Sequence, residues 1–220
     1  MTLTNKSSVS LIGHFGDDYT IIDAARTSTG KERKGIVADK KLLSYLWKNQ
    51  HLSPFEQVNF QWHIVTPIFV ARQIMRHRTF RFNEASARYK QMPMDFFSPE
   101  VWRKQNTEGN KQGSSGEIDN QIFCQSTMEL AYNCAELAYN ELLLAGVSKE
   151  QARMVLPVGL MTEMVVSTDL RNLLHFVQLR TDSHAQPEIQ EVANKMFDLV
   201  SEIVPWTCDL FLEDVESGLK

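Results

Sequence analysis

The stretch Val58-Asn59-Phe60-Gln61-Trp62-His63-Ile64-Val65-Thr66-Pro67-Ile68-Phe69-Val70-Ala71-Arg72-Gln73-Ile74-Met75-Arg76-His77 changes its hydrophobic period once, and that change decides the fold class. Up to Val65 apolar and polar residues alternate. Val58, Phe60, Trp62 and Ile64 share one face and Asn59, Gln61 and His63 the other, which predicts a half-buried strand. Thr66 and Pro67 then read as an N-cap and a first-turn proline, so a helix is expected from Pro67 to about His77.

The segments on either side are mostly helical. Val9 to Phe15 reads as a short strand and Asp18 to Arg26 as a short helix, followed by a Gly/Lys-rich loop from Thr27 to Gly35. Asp39 is expected to cap a helix whose apolar face is Leu42, Leu43, Leu46 and Trp47. Residues 103 to 117, rich in Gly, Ser, Asn, Gln and Lys, are expected to form a loop. A long helix follows from near Glu117 to about Ala145, with Gly146 ending it. Along it Cys124, Met128, Ala131, Ala135, Ala138, Leu142 and Ala145 recur at spacings of 4, 3, 4, 3, 4 and 3. A second row of Phe123, Leu130, Leu137 and Leu144 lies beside the first, giving more apolar surface than one partner needs. Gly159 to Ser167 resembles a strand, and Thr168 starts a helix to about Arg180. Gln186-Pro187-Glu188 opens a last helix, buried through Ile189, Val192, Ala193, Met196, Phe197, Val200 and Ile203, which Pro205 ends. The expectation is an α+β fold: a single mixed domain over residues 1–220, with a small sheet and a majority of helices.

Composition narrows the function. The chain has 220 residues, 43% of them hydrophobic, enough for one sizeable core. A net charge of −4 argues against a general polyanion binder. No apolar run approaches the roughly 20 residues that cross a bilayer, and Met1 to Ser10 lacks the apolar core of a signal peptide. Three cysteines, Cys124, Cys134 and Cys208, form an odd set without metal spacing, which suits a reducing cytoplasm. No metal, membrane or nucleic-acid partner is expected, and a cytoplasmic protein is.

Against that acidic background, five of the eleven arginines fall between Arg72 and Arg88. Gln73 and Arg76 lie three apart and Arg72 and Arg76 four apart, so they share a helix face. The chain then runs extended through Phe80 and Phe82 into Asn83, Glu84, Ser86 and Arg88. Fixed positive charge among Asn, Glu and Ser suits a planar or phosphorylated anion held in one pose. A solvated basic helix end is one alternative. Another is a single-stranded nucleic-acid binder over residues 72–89, with Arg76, Arg78, Arg81 and Arg88 on phosphates and Phe80, Phe82 and Tyr89 stacking on bases.

Arg76-His77-Arg78, seven residues, then Ser86 followed by Arg88 and Tyr89 resembles the signature of the flavin-dependent thymidylate synthases. Three further blocks are similar to that family in the same order. They are His51 to Glu56, which looks like a flavin-contacting turn; Arg153 in Ala152 to Pro157; and Arg180 in Leu179 to Gln186. Pro67 to Gln73 looks like the helix leading into the signature.

The resemblance implies reductive methylation of deoxyuridine monophosphate (dUMP) to thymidine monophosphate (dTMP). Methylenetetrahydrofolate would supply the carbon, and tightly bound flavin adenine dinucleotide (FAD) would be reduced by NADPH. It implies FAD contacts from Ser53, Arg76, His77, Arg78, Glu84, Asp169, Arg171 and His175. For dUMP it implies Gln73, Arg76, Glu84, Ala85, Ser86, Ala87, Arg88, Arg153 and Arg180, with Ser86 and Arg88 on the phosphate. Arg180 would be catalytic, facing the uracil edge and stabilising the charge left when N3 loses its proton. Several family members carry Asn where this chain has Asp169 and His175, which keeps hydrogen bonding and alters charge. The active unit implied is a homotetramer with sites between subunits. A flavin- or nucleotide-binding module of the same fold that has lost methylation is the remaining alternative.

The cysteines bear on mechanism. A thymidylate synthase of the thiolate type needs an activated cysteine. Cys124 and Cys134 read as buried structural residues in the long helix, and Cys208 has no basic neighbour in sequence. Ser86 has no obvious base. The inventory suits a reaction without an enzyme nucleophile.

Overall fold

A computed structural model describes residues 1–107, 109 and 113–217. In chain order the strands are β1 (Thr2–Thr4), β2 (Ser8–Phe15), β3 (Asn59–Pro67), β4 (Arg81–Glu84), β5 (Asp95–Phe97), β6 (Arg103–Gln105), β7 (Ser114–Glu117) and β8 (Met161–Asp169). The helices are α1 (Asp18–Thr27), α2 (Ile36–Lys48), α3 (Ile68–Ile74), α4 (Gln121–Leu144), α5 (Lys149–Ala152), α6 (Leu170–Arg180), α7 (Pro187–Ser201) and α8 (Pro205–Glu216). Short 3-10 turns lie at Ser53–Gln57 and Arg153–Val155. The α+β expectation holds.

The central sheet has four antiparallel strands in the order β2-β3-β8-β4. The alternation in β3 is the reason it forms. Phe60, Trp62, Ile64 and Thr66 all point inward and face Thr168, Val166, Met164 and Thr162 of β8 in register. One buried face fixes that register, because a slip of one residue would expose the whole row. Against this face pack Ile21 and Ile22 of α1, Leu43 and Trp47 of α2, Val70 and Ile74 of α3, and Leu173, Phe176 and Val177 of α6. Ile189, Val192 and Met196 of α7 and Cys208 and Phe211 of α8 complete the cluster. Trp62 is fully buried at its centre, so Trp62→Ala is expected to cost about 3–5 kcal/mol in the urea unfolding midpoint. A loss below about 1 kcal/mol would mean that the β3–β8 pair is not the core.

Several boundaries differ from expectation, each for a local reason. Asp39 does not cap α2. Gly35, at φ 94°, turns the chain into the helix one turn earlier, and the Asp39 carboxylate instead lies buried against Arg26 at 2.6 Å. Thr66 stays in β3, its Oγ1 paired with Ser7 Oγ at 2.8 Å, and Pro67 takes the N-cap position. Helix α3 stops at Ile74, short of His77. Thr168 likewise remains in strand, and Asp169 caps α6. Glu117 belongs to β7, and Asn120 caps α4 by accepting from the Phe123 amide at 3.1 Å.

The stretch 103–117, expected as loop, carries the antiparallel pair β6–β7; its residues 108 and 110–112 lie outside the described residues. Two further strands, β1 and β5, pair in parallel beside the sheet. Pro205, expected as a terminator, is instead the first-turn proline of α8. Its orphan amides are met from far away in sequence. The buried Asp18 carboxylate accepts from the Trp206 amide at 2.9 Å and the Thr207 amide at 3.1 Å.

Helix α4 buries only Tyr132 and Tyr139 within the chain. Phe96 stacks on Tyr132 at 4.5 Å between ring centroids, in a second small cluster with Met92 and Leu160. The row Phe123, Leu130, Leu137 and Leu144 is exposed. The cysteine expectation reverses: Cys134 is exposed and Cys124 half-buried, while Cys208 is buried. Among the described residues no helix is long and apolar enough to cross a membrane.

Candidate active site

Three groups of the candidate residues form on the scaffold. The first lies where α3 ends against the last turn of α6. Tightened turns after Ile74 bring His77 inward, where it is buried against Phe176 at 4.9 Å and Phe80 at 5.7 Å between ring centroids. The Arg180 Nε–H donates to His77 Nε2 at 3.1 Å, and Arg180 Nη2 donates to the Gln73 carbonyl at 3.3 Å. The ring of His175, one turn before Leu179, stands 6.3 Å from that of His77. Gln73 donates through Nε2 to Gln186 Oε1 at 2.7 Å.

The electrostatics of this group are one-sided. Among the described residues neither Arg76 nor Arg180 has an ion-pair partner. Burial, and then the nearby Arg76 charge, lowers the Arg180 pKa from its ordinary value. Burial first, then Arg180 and His175, hold His77 down to about 4 from an ordinary 6.5. His77 is therefore neutral near pH 7, with its proton on Nδ1, since Nε2 accepts from Arg180. An arginine held by a neutral ring and a carbonyl keeps its whole charge for a bound anion.

The sign of the pH dependence follows. Below pH 6.5 the unfolded chain takes up a proton that folded His77 refuses until about 4. Its contribution to stability is thus flat above 6.5 and declines as pH falls from 6.5 towards about 4. Urea unfolding across that range should show this decline, and His77→Gln should reduce it. An unchanged pH slope in His77→Gln would reject the assignment.

The second group lies along the start of α6 and the Ser53–Gln57 turn. Asp169 is engaged as a helix cap, accepting from the Asn172 amide at 3.0 Å and Asn172 Nδ2 at 2.6 Å. Arg171 pairs with Glu56 of the same turn as exposed Ser53. Arg171, His175 and Arg180 all line one cleft of about 860 Å³, with Trp47, Leu52 and Phe211 among its apolar walls. Arg78 is exposed beyond the end of α3.

The third group is separated from the first by β4. Glu84, at the end of that strand, accepts from the Thr162 hydroxyl at 2.8 Å, and the Ala85 amide donates to the Glu163 carbonyl at 2.9 Å. The turn through Ser86 and Ala87 follows, and the Arg88 amide donates to Ser86 Oγ at 3.3 Å. Arg88 pairs with Glu150 at 3.3 Å, and Arg153 Nε donates to the Glu150 carbonyl at 3.3 Å. Arg88 and Arg153 thus both meet Glu150 of α5, one at its carboxylate and one at its main-chain carbonyl, with Ser86 held by the Arg88 amide. The four extended residues of β4 span roughly 13 Å at about 3.3 Å each. Among the described residues the hydrogen bonds of Arg180 run to His77 and Gln73, not to this group.

Sequence reasoning left out Glu56, Glu150 and Gln186 as individual residues. Glu56 and Gln186 sat inside quoted blocks, but their partners lie 115 and 113 residues away. No local pattern announces such pairs.

The family model described as "Thymidylate synthase complementing protein" matches residues 10–206. A flavin-dependent thymidylate synthase of Dictyostelium discoideum is 43% identical over 207 residues, 92% of this chain and 68% of that one. One from Thermosipho melanesiensis is 40% identical over 212 residues, 95% of this chain and 92% of that one. Among solved structures, the UMP/dUMP methylase PolB of Streptomyces cacaoi, bound with 5-Br dUMP, superposes with a TM-score of 0.90. It is 32% identical and the match covers 97% of each chain. The fold is that of an enzyme. The chain belongs to the family of flavin-dependent thymidylate synthases, as the Arg76-His77-Arg78 signature led us to expect.

Proposed function

We propose that this enzyme methylates dUMP to dTMP, taking the carbon from methylenetetrahydrofolate and reducing equivalents from NADPH through bound FAD. The observation that carries the reading is the Arg180 arrangement: a half-buried guanidinium, fixed by His77 and Gln73, with no ion-pairing carboxylate among the described residues. Such a group stabilises a pyrimidine anion without reorganising during the reaction. Gln73 and Arg76 would complete the base-binding end. Glu84, Ala85, Ser86, Ala87, Arg88 and Arg153 would hold the ribose phosphate, a serine hydroxyl and forked guanidinium being suited to a dianion.

The cleft lined by Arg171, His175 and Arg180 combines apolar walls with cationic and imidazole donors, which fits a flat, anionic flavin dinucleotide. Ser53, Arg76, His77, Arg78, Glu84 and Asp169 would contact it too. When bound, the flavin supplies hydride chemistry, and the chain supplies orientation and charge. The separation of the Arg180 group from the Ser86 group favours sites assembled from two chains of a homotetramer. The exposed apolar row of α4 would form part of its interface.

Neither Cys208 nor Ser86 is poised as a nucleophile. Burial, then Asp18 and Asp209, push the Cys208 thiol up to about 12, far from a thiolate. Ser86 Oγ accepts from the Arg88 backbone amide, which is no base. Replacing Cys124, Cys134 and Cys208 together by Ala should leave methylation measurable by product chromatography, whereas Ser86→Ala should mainly weaken dUMP binding. Abolition of turnover in a folded, flavin-loaded cysteine-free chain would restore a thiolate mechanism.

An absorbance spectrum of the purified protein, followed by titration with dUMP, tests the reading. A flavin spectrum that dUMP perturbs at stoichiometric amounts is expected. A colourless protein that binds single-stranded nucleic acid would return the Arg72–Tyr89 cluster to its alternative.

A further inference from the structure

Gln186 occupies the N-cap position of α7, yet its side chain does not cap the helix. Its backbone carbonyl already accepts from the Ile189 amide at 3.0 Å and the Gln190 amide at 3.1 Å, and Pro187 needs no partner in the first turn. The side chain is therefore free for another task. It reaches across to α3, where its Oε1 accepts from Gln73 Nε2 at 2.7 Å.

Gln73 is thereby held at two points. Arg180 Nη2 donates to its backbone carbonyl, and Gln186 takes one N–H of its side-chain amide. A primary amide has two N–H donors and one carbonyl acceptor. With one N–H committed, Gln73 offers the carbonyl oxygen and the second N–H. A donor and an acceptor side by side match the adjacent N3–H and carbonyl oxygen of uracil. With the oxygen turned to N3 and the N–H to position 4, the same pair mismatches cytosine, where N3 is an acceptor and the 4-amino group a donor. Rotating the amide by half a turn would reverse the preference, and it would set two N–H groups or two oxygens against the wrong partners.

We propose that Gln186 is a positioning residue that locks the Gln73 amide in the orientation selecting a uracil over a cytosine base. The inference rests on the reading of Gln73 as a contact to the pyrimidine of dUMP. Gln186 acts through Gln73 and touches no substrate. Its substitution removes an orientation and not a binding group.

The test is calorimetric titration of the flavin-loaded protein with dUMP and with deoxycytidine monophosphate (dCMP). Gln186→Met keeps the side-chain length and removes the acceptor. It should weaken dUMP binding about tenfold, the value of one well-placed hydrogen bond, and lower the dUMP-over-dCMP ratio to match. Gln186→Glu keeps an acceptor and should return that ratio to within about threefold of wild type. In a double-mutant cycle, Gln186→Met should add little once Gln73→Met is present, because the two act as one unit.

An undiminished ratio in Gln186→Met, or a Gln186→Glu as defective as Gln186→Met, would overturn the proposal while leaving the proposed function standing. A Gln73→Met that still discriminates would remove Gln73 from the base contact, and the proposal with it. A wild-type protein that binds neither nucleotide would defeat the functional reading itself. The ratio of two affinities is insensitive to a general loss of stability, so a merely structural role for Gln186 leaves it unmoved.

Discussion

Arg180→Ala is expected to lose at least about a hundredfold in the rate of dTMP formation while keeping its bound flavin. Three features set the size of the effect. The guanidinium is half-buried, it is oriented by a neutral His77 and a main-chain carbonyl, and it is not compensated by a carboxylate. In the proposed reaction its interaction with a pyrimidine anion would be made in a preorganised, partly dehydrated setting, where one such contact is worth about 3 kcal/mol or more. Lysine would restore charge but not the forked geometry that engages His77, so Arg180→Lys should recover only part of the rate. Steady-state activity of Arg180→Ala within threefold of wild type would remove it from the catalytic role.

The second large effect is expected on assembly. Phe123 is 63%, Leu130 65%, Leu137 63% and Leu144 81% exposed, and they recur every seven residues along α4. Such a row calls for cover. Burying a leucine side chain contributes about 1.5–3 kcal/mol, so four such positions on each chain make a substantial interface. Leu130→Glu with Leu137→Glu exchanges that gain for buried, unpaired carboxylates. Light scattering should then report a species smaller than the wild-type assembly, proposed to be a tetramer, with flavin binding lost because the sites would span two chains. A wild-type monomer that binds flavin stoichiometrically would contradict the shared site.

The parts of this protein legible in sequence were those written in a local period or a fixed spacing. The alternation from Val58 to Val65 announced β3, since one buried face imposes a strict two-residue repeat. The wide apolar stripe of Ile189, Val192, Ala193 and Met196 announced α7. The Arg76-His77-Arg78 signature and the later arginine blocks pointed to the family through their order. Other features were hidden because their cause lies far off in the chain. Pro205 looked like a stop, and only Asp18, folded beside it, reveals the start of α8. Strands β1 and β5 are three residues each and pair across most of the first hundred residues, too short to carry a period. Cys124 and Cys134 looked buried because their helix carries broad adjoining apolar rows, whereas within one chain the described residues of α4 bury only Tyr132 and Tyr139. The Gln73–Gln186 and Arg180–His77 contacts belong to the same class, being products of how α3, α6 and α7 meet.

Rapid acid quench of the working enzyme, with chromatography of the nucleotides and mass spectrometry of the intact chain, tests the central claim most directly. Flavin-loaded protein is mixed with dUMP, methylenetetrahydrofolate and NADPH and sampled through the first turnovers. The account predicts dTMP as product, with the mass of the polypeptide unchanged at every time point. A pyrimidine adduct on Ser86 or on a cysteine, appearing and decaying at the turnover rate, would contradict it, as would the absence of any dTMP.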